Sequence, residues 1–182
     1  MEVKREMLIC LQQNRQIYAE HFASMYDLER LESTIAHGVD WVPNTNGKYP
    51  PCLPKYWFYT PCCVQLAADT FQIPISVYPD IDESVNRNNN SGPPLLYVPF
   101  SGPKPKQEPL PLLMQFVSGN HWSTLRMNKS IKMDWPVIEN FVIEACRKMG
   151  QTQDLRKRTW RYLSIKKPDN SGSKQPETII LD

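Results

Sequence analysis

No run in these 182 residues approaches the roughly 20 apolar positions that a membrane-spanning helix needs, so no membrane partner is expected. The first residues, MEVKREMLICLQQNRQ, carry charges among their apolar positions, unlike a secretory signal peptide. Glycine is scarce, seven in all, and neither G-x-G-x-x-G nor G-x-x-x-x-G-K-[ST] occurs, which excludes the glycine-rich loops that cradle nucleotide phosphates. No cofactor is expected. Cysteines are few and odd in number (Cys10, Cys52, Cys62, Cys63, Cys146), with no C-x-x-C pair. Zinc asks for four ligands in a fixed tetrahedron, and no cysteine pair stands near a histidine, so no metal centre is expected. An odd set of irregularly spaced thiols points to a reducing compartment, cytoplasmic or nuclear. The net charge of +2 is too small to name a partner.

Hydrophobic and charged fractions, 41% and 22%, are ordinary for a globular chain, and the length suits one main domain. Residues 1 to about 23 read as one amphipathic helix. Val3, Met7, Leu11, Tyr18 and Phe22 share a face, and no capping residue precedes it. A second helix is expected from an N-cap at Asp27 through Leu28, Leu31 and Ile35, closed by Gly38. Residues 39–61 form a proline- and aromatic-rich connection whose rings are expected to pack beneath it. Thr60-Pro61 reads as N-cap and first helical position of a helix to Phe71. Strands follow at Ile73–Tyr78 and Leu95–Val98, with a polar, asparagine-rich segment between them. Another helix is expected from Asp134-Trp135-Pro136 to Gly150, then a short basic helix and a disordered tail from Lys166.

The most informative stretch is PLPLLMQFVSGNHWSTLRM, starting at Pro109. Two apolar runs flank Ser118-Gly119-Asn120, the pattern of a β-hairpin. It sets His121 at the first residue after the turn. The loop there is open to a substrate while the strand fixes the root of the side chain. A thiol nucleophile is one candidate partner for this imidazole. Cys62 and Cys63 stand at a helix start, where the dipole favours a thiolate, in the cysteine-before-histidine order of papain-like enzymes. A second candidate chemistry is basic. Residues 147–167 hold eight Lys or Arg against Asp154 alone, with Trp160 and Tyr162 interleaved. Arg156, Lys157, Arg158 and Arg161 would meet nucleic-acid phosphates, and a solvated helix face is the plainer alternative.

Three segments in order resemble the OTU (ovarian-tumour) family of papain-like cysteine peptidases, mostly deubiquitinases. VKREMLICLQQNRQIYAEHF is similar to the family helix of form vRxxmxxxlxxnxxxYxxf at Val3, Arg5, Met7, Leu11, Asn14, Tyr18 and Phe22. The stretch from Trp57 through Leu66, Ala67 and Ala68 to Ile73, Ile75 and Val77 resembles its W…lxaLAxxxxxxIxV unit, and GNHWSTL its last catalytic strand. The resemblance implies an α/β (α+β) fold with a small central sheet of about four strands flanked by helices. It implies an OTU-like domain over 1–127, a basic helical extension over 128–164 and a disordered tail over 165–182. His121 matches the catalytic base and Trp122 the aromatic beside it. Many family members carry Asp or Asn two residues after the histidine; Ser123 stands there, and Asn120 is a weaker candidate to orient the imidazole. The family nucleophile lies in a D-G-x-C-type motif ahead of the first helix, and these residues hold no such motif. The expectation is therefore an inactive, ubiquitin- or ubiquitin-like-binding remnant. Two alternatives stay open: an active thiol peptidase using Cys62 or Cys63 with His121, and a nucleic-acid module.

Overall fold

A computed structural model describes residues 2–21, 25–79, 94–100, 111–117, 121–128, 136–148 and 177–180. The chain is mixed α/β and divides into two compact units, Met1–Gln72 and Ile73–Asp182.

The first unit is helical: α1 (Glu2–Gln13), α2 (Arg15–His21), α3 (Met25–Ala36), a 3₁₀ turn (Pro54–Tyr56) and α4 (Cys62–Phe71). The single helix expected up to residue 23 is broken at Asn14. Its side-chain Nδ2 donates to the Cys10 carbonyl at 2.9 Å, an oxygen its own backbone N–H also uses at 3.1 Å. Asp27 is not the cap of α3 but sits in its first turn, where its charge suits the helix dipole. Gly38, at φ +79°, turns the chain after this helix as its sequence implies. Thr60 does not cap α4. The Cys63 N–H finds the Tyr59 carbonyl at 3.2 Å, so the first turn is satisfied by backbone, and Pro61 takes the cap position.

The core of this unit is Met7, Leu11, Tyr18, Leu28, Leu31, Ile35, Leu66 and Ala68, all essentially inaccessible. Two polar devices tie the helices across it. Lys4 Nζ donates to the Thr34 and His37 carbonyls, both at 2.9 Å, closing the C-terminus of α3 with a cation. The Tyr18 hydroxyl donates to Asp69 Oδ2, and Gln65 Nε2 donates to the same carboxyl at 3.3 Å. Burial holds the Tyr18 hydroxyl protonated far above its ordinary range, and the charge of Asp69 pushes the same way.

In the second unit β1 (Ile75–Tyr78), β2 (Leu95–Tyr97), β3 (Leu112–Val117) and β4 (His121–Asn128) form a mixed sheet in the order β2-β1-β3-β4. β1 runs parallel to β3 and antiparallel to β2, and β3 and β4 make the expected antiparallel hairpin. Glu177–Ile180, inside the segment expected to be a disordered tail, pairs with β4 as an edge strand, β5. The helix expected from residue 134 starts only at Asn140 (α5, Asn140–Lys148). Val137 is held ahead of it by the outer edge of β2. Its N–H donates to Pro94 O at 2.8 Å and its carbonyl accepts from Leu96 at 2.7 Å, so the chain is extended where a helix was anticipated.

Candidate functional site

Hairpin register determines what surrounds His121. Val117 pairs with His121, Phe116 with Trp122, Gln115 with Ser123 and Met114 with Thr124. Side chains alternate along a strand, so His121, Ser123 and Leu125 share one face of β4 with Val117 and Gln115 of β3. The parallel pairing of β3 with β1 sets Tyr78 opposite Gln115 on that same face. A transverse polar row results: Tyr78, Gln115 and Ser123, with His121 one pair beyond. Burial falls along it. Tyr78 and Gln115 are buried, Ser123 is half-buried and His121 is exposed.

Gln115 is the residue that sequence reasoning missed. It is the one polar member of the run LLMQFV and the one buried position of β3. Its Nε2 donates to the Pro79 carbonyl at 2.9 Å, which fixes the amide. Ser76 lies on this face one row away, its buried Oγ with no hydrogen-bond partner among the described residues. Polarity inside an apolar strand was the available signal; only register shows that it faces the histidine. Trp122 projects from the opposite face, where its ring lies 4.8 Å from that of Phe116. Ser123 is thus on the side of the sheet where it can orient the imidazole, and Trp122 is not. Asn120 lies outside the described residues, as do Arg156, Lys157, Arg158 and Arg161.

Cys62 and Cys63 belong to the first unit, at the start of α4. Both thiols are buried. Burial pushes Cys62 up to about 11, against the opposing pull of the adjacent Tyr59 hydroxyl and of Arg30. It pushes Cys63 up to about 12. A helix N-terminus ordinarily favours a thiolate, but here desolvation outweighs it and favours the protonated thiol. Arg30 is stacked 4.0 Å over the Tyr59 ring, so its charge is engaged by an aromatic face.

Among the described residues no group of His, Cys, Asp and Glu is arranged to hold a metal ion, and no helix is long and apolar enough to cross a membrane. Comparison with protein-family models, with curated proteins and with solved structures finds no match to this chain.

Proposed function

We propose that this chain carries the helix–strand–hairpin portion of an OTU-type cysteine peptidase domain with a papain-like sheet, and that these 182 residues act as a binder of ubiquitin or a ubiquitin-like protein rather than as a peptidase. The observation that carries the reading is the exposed His121 at the first residue of β4, in the antiparallel pair with β3, with Ser123 and the anchored Gln115 on its face. Two further features support it. The α4 helix is followed by the buried strand β1 in the order the resemblance demands. Met7, Leu11 and Tyr18, matched positions of the family helix, are core residues. The catalytic half of the reading follows from the thiols. Cys62 and Cys63, the thiols weighed as partners of His121, are buried, and burial pushes both above the ordinary thiol value, which opposes a thiolate at either.

Two measurements test this. Isotope-labelled ubiquitin, and a ubiquitin-like protein in parallel, titrated with the chain should show saturable resonance shifts that weaken in His121→Glu. Ubiquitin bearing a thiol-trapping C-terminal electrophile should give no covalent adduct by intact mass. Absence of shifts with every such protein removes the binding reading. An adduct lost in Cys62→Ala or Cys63→Ala would instead establish a living thiol peptidase.

A further inference from the structure

The connection between α3 and α4 does not pack as a whole. Tyr56 stacks on His37 with ring centroids 3.6 Å apart, and Trp41 meets the same imidazole edge-on at 4.7 Å. These contacts tether the two ends of the loop. Between them every residue from Val42 to Lys55 is exposed, and Tyr49 and Leu53 each keep about half of their surface in water (51% and 53%). Val42, Tyr49 and Leu53 are therefore large apolar side chains left in water within one loop.

The order of residues in that loop is specific. Lys48-Tyr49-Pro50-Pro51-Cys52-Leu53-Pro54 is a Pro-x-x-Pro core, Pro51 to Pro54, in which each of Pro51 and Pro54 follows an apolar residue, with a cation three positions ahead at Lys48. Proline fixes φ at Pro50, Pro51 and Pro54 and pushes Tyr49, Pro50 and Leu53 into extended backbone. Leu53 is at φ −66°, ψ 145°, the polyproline II region, and no helix, strand or turn interrupts Lys48 to Leu53. With three residues per turn, a polyproline II helix over this segment would set Lys48, Pro51 and Pro54 on one edge, Pro50 and Leu53 on a second, and Tyr49 and Cys52 on the third. The first two edges form the ridge that an aromatic-lined groove accepts between its rings, with the cation at one end.

The segment is also held ready. The Asn44 N–H donates to the Lys48 carbonyl at 2.8 Å and the Asn44 side-chain oxygen accepts the Lys48 N–H at 2.9 Å. At the other end the Trp57 indole donates to the Cys52 carbonyl at 3.1 Å, and Tyr56 N–H to Leu53 O at 2.9 Å closes the 3₁₀ turn. The carbonyls of Tyr49, Pro50 and Pro51 accept no hydrogen bond among the described residues. Lys48 makes no ion pair there either. A ligand ordered before it binds loses less entropy on binding.

We propose that Lys48–Pro54 is a docking ligand for a protein domain of the SH3 type, one that offers an aromatic-lined groove for polyproline II helices flanked by acidic residues that meet Lys48. The proposal concerns the first unit alone and stands or falls separately from the ubiquitin reading.

The test is calorimetric titration of the full chain against a set of recombinant SH3 domains, each first shown to bind a synthetic peptide of the pattern basic-x-apolar-Pro-x-apolar-Pro. At least one domain should bind the chain. Pro51→Ala and Leu53→Ala should each weaken that complex about tenfold or more. Lys48→Glu should weaken it similarly and flatten its salt dependence. Tyr49→Ser, on the third edge and outside the ridge, should change it less than about twofold. Circular dichroism of each variant checks that the exposed substitutions leave the helices intact. If no peptide-competent domain binds the chain, or if binding survives Pro51→Ala and Lys48→Glu, the proposal is overturned.

Discussion

Tyr18→Phe removes one oxygen atom from the centre of the first unit, and its cost can be worked from the structure. The hydroxyl donates to Asp69 Oδ2, and the two residues keep 1% and 7% of their surface exposed, so solvent screens the bond very little. A hydrogen bond to a charged group contributes about 1.5–3 kcal/mol net, because the deleted donor leaves a desolvated carboxyl behind. Gln65 Nε2 reaches that carboxyl only at 3.3 Å, beyond the usual N–H···O range, and is a weak substitute. The expected loss is about 2 kcal/mol. The readout is urea unfolding followed by far-UV circular dichroism, which reports mainly this unit because α1 to α4 lie in it. In an Asp69→Ala background the same substitution should cost close to nothing, a coupling of about 1.5 kcal/mol or more. Alkaline pH supplies an independent check. A hydroxyl whose folded pKa is raised favours the fold while it is protonated. That contribution is present below the unfolded tyrosine value near 10 and is lost as pH rises beyond it. Tyr18→Phe should lack this alkaline loss. A cost under about 0.5 kcal/mol, or a coupling near zero, would refute the view that Tyr18 and Asp69 clamp α2 to α4.

Gly38→Ala should cost about 1–3 kcal/mol, measured by the same unfolding curve, since φ is +79° and an added Cβ meets the Trp41 ring at 3.1 Å. Iodoacetamide at neutral pH, followed by peptide mass mapping, should label exposed Cys52 well before Cys62 and Cys63; early labelling of Cys62 would mean that its thiol is neither buried nor held protonated. His37 has its pKa lowered by burial and then by Lys4 and Lys55. Its neutral form therefore favours the fold above pH about 6.5, and that contribution is lost as pH falls through the lower folded value. A nuclear magnetic resonance titration should find the His37 midpoint below that of an unfolded histidine; a midpoint above it would contradict the packing against Tyr56. Leu66→Ala, at a position with no exposed surface, should cost about 2–5 kcal/mol in the unfolding experiment, and a cost under about 1 kcal/mol would place Leu66 outside the core.

Where the sequence alone determined structure, the determinant was local. The spacing of Met7, Leu11, Leu28, Leu31 and Ile35 marks buried helix faces because a helical turn repeats whatever packs against it. The Gly38 stop, the α4 helix and the antiparallel pairing of β3 with β4 were legible for the same reason: turn chemistry and periodicity act between near neighbours. The break at Asn14 was local too, but it depends on a side chain competing for a carbonyl four residues back, and amphipathic spacing carries no trace of that competition. The rest was decided by partners distant in sequence. Lys4 is a surface cation on α1 until the carbonyls of Thr34 and His37 arrive beneath it. Asp69 is a polar residue on an apolar helix until Tyr18, 51 positions earlier, donates to it. Val137 would begin a helix were it not bonded to the edge of β2. At the candidate site the sequence singles out His121 by its place after the expected turn, and the family resemblance singles out Ser123 by its offset. Gln115 belongs beside them only because pairing of β3 with β4 fixes a register, and register in a half-buried sheet is a property of the assembled strands rather than of any one of them. The polyproline segment shows both sources together: proline stiffened the backbone from sequence alone, while the packing of Tyr56 and Trp41 on His37 determined that Lys48 to Pro54 would face the solvent.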